Sequence, residues 1–224
     1  MRMYDLFSGL GGASQAFLEN GWSVCRFEIN PMLADPESED YVQLTDQIDL
    51  THKNAAKALA YPEDKVDFLW ASPPCDEFSL AFPAPRSVAS REGKLDEYEP
   101  DMKPLLATLE IIRLVNPRYW AIENVQGAIR YFEPHIGKHR IKIGSMYLWG
   151  NFPMVGLKEI DSTHKKKLFA STGAQTKLRS NVHAKTPYWL SDQMRVAVQY
   201  QMTIDDFSAS LEDVSWAWNA SKVG

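Results

Sequence analysis

Val66-Asp67-Phe68-Leu69-Trp70-Ala71-Ser72-Pro73-Pro74-Cys75-Asp76-Glu77-Phe78-Ser79 is the stretch whose reading decides the fold. Its first six residues are rich in the branched and aromatic side chains that suit a strand buried on both faces of a parallel sheet. Ser72-Pro73-Pro74 ends the strand, because proline cannot donate to a ladder and pushes the residue before it out of helix. Cys75 therefore falls just past the carboxyl end of a central strand, where open α/β sheets hold their ligands. A lone cysteine in a stiff loop is more often inert core than nucleophile, so its meaning depends on the rest of the chain.

Working toward the amino end, Met3 to Phe7 reads as a short strand, Ser8-Gly9-Leu10-Gly11-Gly12 as a turn, and Ala13 to Leu18 as the start of a helix. Strand, glycine turn and helix together let backbone approach a nucleotide-like ligand closely. A second strand, Trp22 to Phe27, ends in Glu28, about twenty residues beyond the first glycine, where doubly wound folds place the carboxylate that accepts ribose hydroxyls. Cys25 inside it reads as core. Pro31 to Tyr41 is expected to form a short helix and a loop, and Val42 to Leu44 a third strand. Asp46 and Asp49 follow; either could bond an adenine amino group, and both could equally cap a helix over Lys53 to Ala60.

Toward the carboxyl end, Asp76 to Pro100 has no clean period and predicts a long structureless loop of the kind that serves as a lid or binding loop. Leu105, Leu106, Leu109, Ile112 and Leu114 predict a buried helix ending at Asn116-Pro117. Tyr119 to Ile122 is a further apolar strand, ending in Glu123-Asn124-Val125, so two core strands finish in a cysteine and a carboxylate. Ile143 to Trp149 reads as another strand and Tyr188 to Tyr200 as a helix. Ser208 to Gly224, with Trp216 and Trp218, is expected to pack onto the body of the fold.

The 224 residues are 45% hydrophobic and 24% charged, enough for a sizeable core. Two cysteines exclude a disulfide framework or a cysteine-based zinc site, and no metal site is expected. No apolar run approaches the length of a membrane span. The net charge of −5 counts against a nucleic-acid partner, yet Gly137 to Thr186 carries ten Lys and Arg against Glu159 and Asp161. That local +8 leaves −13 elsewhere, and a basic surface on an acidic body is compatible with phosphate binding.

Asp5-Leu6-Phe7-Ser8-Gly9-Leu10-Gly11-Gly12, then Pro74-Cys75 followed by Phe78-Ser79, then Glu123-Asn124-Val125, occur in the order and rough spacing of the DNA (cytosine-5) methyltransferases. The chain resembles that family over residues 3 to 130, and most of all its short phage and prophage members. The resemblance implies an α/β fold with a doubly wound, mostly parallel sheet that binds S-adenosylmethionine. It divides the chain into a catalytic and cofactor-binding domain over 1–136, a short basic target-recognition region over 137–186 and a C-terminal segment over 187–224.

By similarity, Phe7, Ser8, Gly9, Leu10, Gly11 and Gly12 wrap the methionine part of the cofactor, Glu28 holds the ribose and Asp46 the adenine, and Pro74 lines the boundary with the substrate. Cys75 is the implied nucleophile, Glu123 the carboxyl group that steadies the cytosine, and Arg140 a second group on that base. The implied partner is double-stranded DNA with the target base flipped out, bound by a monomer in the cytoplasm of a bacterial or phage-infected cell.

The chain departs from the family pattern at Ser72-Pro73-Pro74-Cys75-Asp76, lacks a Gln-x-Arg-x-Arg motif after Glu123-Asn124-Val125, and lacks the family's Gly-Asn-Ser/Ala-Val segment. Ser72-Pro73-Pro74 also fits the amino-methyltransferases, which act on adenine or cytosine nitrogen. An RNA cytosine-5 methyltransferase, or a degenerate member that binds DNA without catalysis, are further alternatives.

Overall fold

The computed structural model describes residues 1–30, 45–61, 65–81, 83–153 and 184–201. Seven strands form one sheet: β1 (Arg2–Leu6), β2 (Ser23–Glu28), β3 (Thr45–Gln47), β4 (Phe68–Ala71), β5 (Tyr119–Val125), β6 (Ile141–Ile143) and β7 (Met146–Asn151). Their order is β3-β2-β1-β4-β5-β7-β6, and the pairs among β1 to β5 are all parallel. Only β7 runs against its neighbours, antiparallel to both β5 and β6. This is the doubly wound, mostly parallel sheet expected of the sequence, with β1 and β4 at its centre.

Among the described residues, six helices flank the sheet: α1 (Gln15–Glu19), α2 (Ala55–Leu59), α3 (Pro85–Arg91), α4 (Lys103–Val115), α5 (Ile129–Ile136) and α6 (Tyr188–Tyr200). Alternation along each strand divides the core in two. Tyr4, Leu6, Leu69, Ile122 and Trp149 face Leu59 of α2, Leu105 and Ile111 of α4 and Phe132 of α5. Met3, Val24, Phe68, Trp70, Ala121 and Leu148 face Phe17 of α1 and Leu190, Met194 and Val198 of α6. Those last three recur every four residues, so α6 buries one stripe. No described helix is long and apolar enough to cross a membrane.

The helix over Leu105 to Leu114 forms, as does the one over Tyr188 to Tyr200. Three expectations are corrected. The third strand is Thr45–Gln47, so Asp46 lies inside it rather than beyond its end. Pairing with β2 decides this, since Thr45, Asp46 and Gln47 stand opposite Arg26, Phe27 and Glu28.

The segment 76–100 is not structureless. It contains α3 and a 3-10 turn at Leu95–Glu97, and Pro85 occupies the first turn of α3, where its missing N–H costs nothing. The strand over Ile143 to Trp149 is instead a hairpin, β6 and β7, which Gly144 turns at φ 60°. The expected elements over 31–44, the basic stretch 154–183 and the terminal stretch with Trp216 and Trp218 lie outside the described residues.

Candidate active site

The first half of the site is the turn after β1. Phe7 has φ 54° and Gly9 φ 52°, and a non-glycine residue in the left-handed region persists only where its surroundings hold it. Here the Ser8 amide donates to the carbonyl of Phe27 at 3.1 Å and the Gly11 amide to that of Ser8 at 2.7 Å. Glu28 completes the frame from β2: Oε2 accepts from the Gly9 amide at 2.8 Å and Oε1 from the Asn30 amide at 3.0 Å. Each oxygen keeps acceptor capacity for a further donor.

Close approach is built in. A Cβ on Gly11 would lie 1.6 Å from Nη2 of Arg26, and one on Gly12 would lie 2.4 Å from the carbonyl oxygen of Thr186. Beneath the turn, Asp5 is buried, and that burial pushes its carboxyl up to about 6 against the opposing pull of Arg26 and a hydrogen bond from Ser14. The Ser8 hydroxyl is buried and makes no hydrogen bond among the described residues, so the turn carries a polar group with capacity for a ligand. Backbone donors, a shared carboxylate and an orphaned hydroxyl fit the amino-acid and ribose portions of a nucleoside cofactor.

Next to this turn, a groove of about 280 Å³ at the end of β3 is lined by Gln47, Ile48, Asp49, His52, Asn54, Ala55 and Ala58. Asp49, not Asp46, lines it. Asp46 stands in the strand opposite Phe27; burial raises the Cys25 thiol, and the Asp46 charge adds a smaller push in the same direction against the pull of Arg2. Asp49 holds Oδ1 on the amide and hydroxyl of Thr51, at 2.9 and 2.6 Å, which keeps its carboxyl below the usual range.

The second half lies where β4 and β5 end. Ala71 stands opposite Ile122 in the parallel pair, so Glu123 is one step beyond the register at which the proline turn begins. That turn is fastened at Ser72, Pro73 and Cys75. The Ser72 amide donates to the Leu6 carbonyl at 3.1 Å, and Nε1 of Trp70 donates to the Ser72 hydroxyl at 2.8 Å. Nδ2 of Asn124 donates to the Pro73 carbonyl at 3.0 Å. The Cys75 carbonyl accepts from the amides of Phe78 and Ser79, at 3.0 and 2.9 Å. A Cβ on Gly127 would sit 1.9 Å from the Phe78 carbonyl oxygen, so the chain after Cys75 rests directly on the backbone following β5.

The electrostatics tie the two reactive side chains together. Burial pushes the Glu123 carboxyl up to about 7, with a hydrogen bond from Ser72 working in the opposite direction. Burial, then the charges of Glu123 and Asp76, push the Cys75 thiol up to about 11. With no substrate present, only about one Cys75 in ten thousand is a thiolate at pH 7. The carboxyl, by contrast, exchanges its proton near neutral pH.

The amide of Arg140 donates to the carbonyl of Leu148 at 2.8 Å, and Leu148 stands opposite Glu123 across the β5–β7 pair. The Arg140 guanidinium donates to the Phe152 carbonyl at 2.6 Å and lies 4.9 Å from the centre of the Phe152 ring. Phe152 follows Asn151, which pairs with Trp120, three residues and roughly 10 Å back along β5 from Glu123. Sequence reasoning also missed Ser72 and Asn124 as supports of the pair; their place beside Pro73 and Glu123 in the chain was the available signal. Glu77 was missed too. It accepts from the Tyr98 hydroxyl at 2.5 Å and so closes the segment after Cys75 back on itself.

A glycine turn after β1, and a cysteine and a carboxyl at the adjoining ends of β4 and β5, thus lie on one doubly wound sheet. The family model for C-5 cytosine-specific DNA methylase matches residues 1–137, and the chain belongs to that family. It is 29% identical over 154 residues to the type II methyltransferase M1.HphI of Haemophilus parahaemolyticus, an alignment covering 64% of this chain and 36% of the relative. The chain thus spans about a third of the curated relative it matches.

Among solved structures, it is similar to a protein titled as a DNA modification methyltransferase encoded within an E. coli prophage, at TM-score 0.45 and 19% identity over 67% of this chain and 46% of that one. It is also similar to a mutant of Spodoptera frugiperda DNMT2, at TM-score 0.43 and 18% identity over 67% and 49% of the two chains.

Proposed function

We propose that this chain methylates carbon 5 of a cytosine flipped out of duplex DNA, through a covalent bond from Cys75. The observation that carries the reading is the placement of Cys75 just past the end of β4 and of Glu123 at the adjoining end of β5, in a chain that the C-5 cytosine-specific DNA methylase model matches over residues 1–137. Carbon 5 of cytosine is a poor nucleophile in an electron-poor aromatic ring. A thiolate adding to carbon 6 breaks the aromaticity and makes carbon 5 enamine-like, which splits one hard step into easier ones.

The Cys75 thiol gives its proton to solvent water as its sulfur bonds to carbon 6. Protonated Glu123 donates to ring nitrogen 3 and stabilises the negative charge that gathers there, a contribution of about 10²–10⁴ in rate. Burial chiefly holds the thiol protonated, and keeping Glu123 neutral removes one of the two negative charges that add to that effect. When bound at Phe7 to Gly12 and Glu28, S-adenosylmethionine supplies the electrophilic methyl. Loss of the carbon 5 proton then expels Cys75 and restores the ring.

Flipping the base costs a few kcal/mol, which phosphate contacts from the basic stretch after Gly137 would offset. The adenine contact belongs to Asp49, which lines the groove beyond β3. The test is covalent trapping on duplex DNA of randomised sequence containing 5-fluorocytosine, with S-adenosylmethionine present. The expected result is an adduct on Cys75, absent in Cys75→Ser. No adduct, or a methyl group found on an exocyclic nitrogen, overturns the reading.

A further inference from the structure

We infer that Arg86, in the first turn of α3, is a positioning residue that holds the turn after Cys75 against the backbone after Glu123; the inference rests on the function proposed above. Cys75 lies in no helix or strand, so the place of its thiol is set by the peptides around it. The Phe78 and Ser79 amides close on the Cys75 carbonyl, and at the far side of that small turn the Phe78 carbonyl accepts from Nη1 of Arg86 at 3.4 Å. No backbone amide among the described residues reaches that carbonyl. Loss of the guanidinium would leave it without a protein donor.

The same nitrogen lies against the other side of the site. A Cβ on Gly127, just past β5, would sit 2.8 Å from Nη1 of Arg86. Glycine at 127 is thus what lets one guanidinium rest on both chain segments, the one that follows the thiol and the one that follows the carboxyl. The Phe78 ring is seated separately, with its centre 5.2 Å from that of Phe132 in α5. A seated ring still leaves its own peptide free to turn, and the carbonyl bond to Arg86 is what stops that rotation. Farther along, the Tyr98 hydroxyl donates to Glu77 at 2.5 Å and the Tyr131 hydroxyl to the Tyr98 carbonyl at 3.4 Å, so the frame around Arg86 is itself tied to α5. Nε of Arg86 is buried and makes no hydrogen bond among the described residues. A buried cationic group with a donor unspent costs stability, which marks a side chain placed for alignment rather than for folding.

Rate and affinity, measured side by side, separate alignment from binding. Adduct formation on 5-fluorocytosine duplex DNA is followed with the full chain in excess, for wild type, Arg86→Ala and Arg86→Lys, beside the affinity of each for the same DNA. Arg86→Ala should form the adduct about 10- to 100-fold more slowly with DNA affinity within about 2-fold, and added guanidinium ion, well below unfolding concentrations, should restore part of the rate. Arg86→Lys keeps a charge but not the planar fork, so its rate should fall between the two, and it carries the same comparison if alanine unfolds the chain. By hydrogen exchange, the Phe78 and Ser79 amides should lose protection in the variants while those of β1 keep theirs. An unchanged rate, a rate loss matched by the loss of DNA affinity, or faster exchange throughout the chain each overturns the inference. Unchanged protection at Phe78 and Ser79 overturns it and leaves the proposed function standing, whereas wild-type chain that forms no adduct removes both.

Discussion

The side-chain amide of Asn124 donates to the Pro73 carbonyl at 3.0 Å, in the interior, across 51 residues of sequence. It joins the end of β5, which carries Glu123, to the turn that carries Cys75, and so sets the spacing of the two groups. Asn124→Ala should lower stability by about 1–3 kcal/mol through the orphaned carbonyl. It should also slow single-turnover methylation by about 10- to 100-fold, since a misplacement of about 1 Å has effects of that size. Asn124→Asp, ionised, cannot donate and should do no better. Wild-type trapping rates in both variants would show that the pair is positioned by something else.

Gly127 offers a steric test of the same alignment. Alanine there would bring a methyl group to 1.9 Å from the Phe78 carbonyl oxygen, backbone that cannot swing aside as a side chain can. Gly127→Ala should therefore displace the segment after Cys75 and reduce trapping on 5-fluorocytosine DNA by about 100-fold or more. Cofactor binding at the β1 turn should stay within about 2-fold, because the displaced segment does not contribute to that turn. Calorimetry and mass spectrometry of the trapped complex read the two effects separately.

The thiol should be sluggish in the free protein. With Cys75 held up to about 11, alkylation by iodoacetamide should rise about tenfold per pH unit from pH 7 to pH 10, read by peptide mass spectrometry. Glu123→Gln removes a negative charge that favours the protonated thiol, so its profile should move to lower pH. A profile unmoved by that substitution would mean the two side chains do not sense each other.

Glu123→Gln should also stabilise the fold. Burial raises the carboxyl from an ordinary 4.5 to about 7, so the wild type holds its full stability below about pH 4.5 and loses some as pH rises through 7. Glutamine has no such loss. The variant should gain about 2 kcal/mol over wild type at pH 8, and the gain should vanish toward pH 4.5, in urea titrations across that range. Greater stability with lost methylation is the expected signature of a group retained for chemistry.

Local pattern was sufficient for the strands and helices whose residues are apolar on a regular period. The β4 run ending at Pro73, the helix spanning Leu105 to Leu114 and the β1 turn with its glycines were legible because burial on both faces, or a left-handed φ, demands particular residue types. Where polar residues take a strand because a neighbour's ladder needs partners, as Thr45 to Gln47 do against β2, no local signal exists. Likewise, Pro85 opens a helix or breaks one depending on what its flanking backbone already does.

By itself, then, the order of residues determined the sheet, the cofactor turn and the identity of the cysteine and carboxyl at adjoining strand ends. Only the tertiary structure decided how these groups behave. Asn124 joins the two strand ends, burial raises the Glu123 carboxyl toward 7, Phe152 engages the Arg140 guanidinium, and the start of α6 covers Gly12. Each of these depends on contacts between residues far apart in the chain, and a proton's affinity or a guanidinium's direction is set by what surrounds it in space.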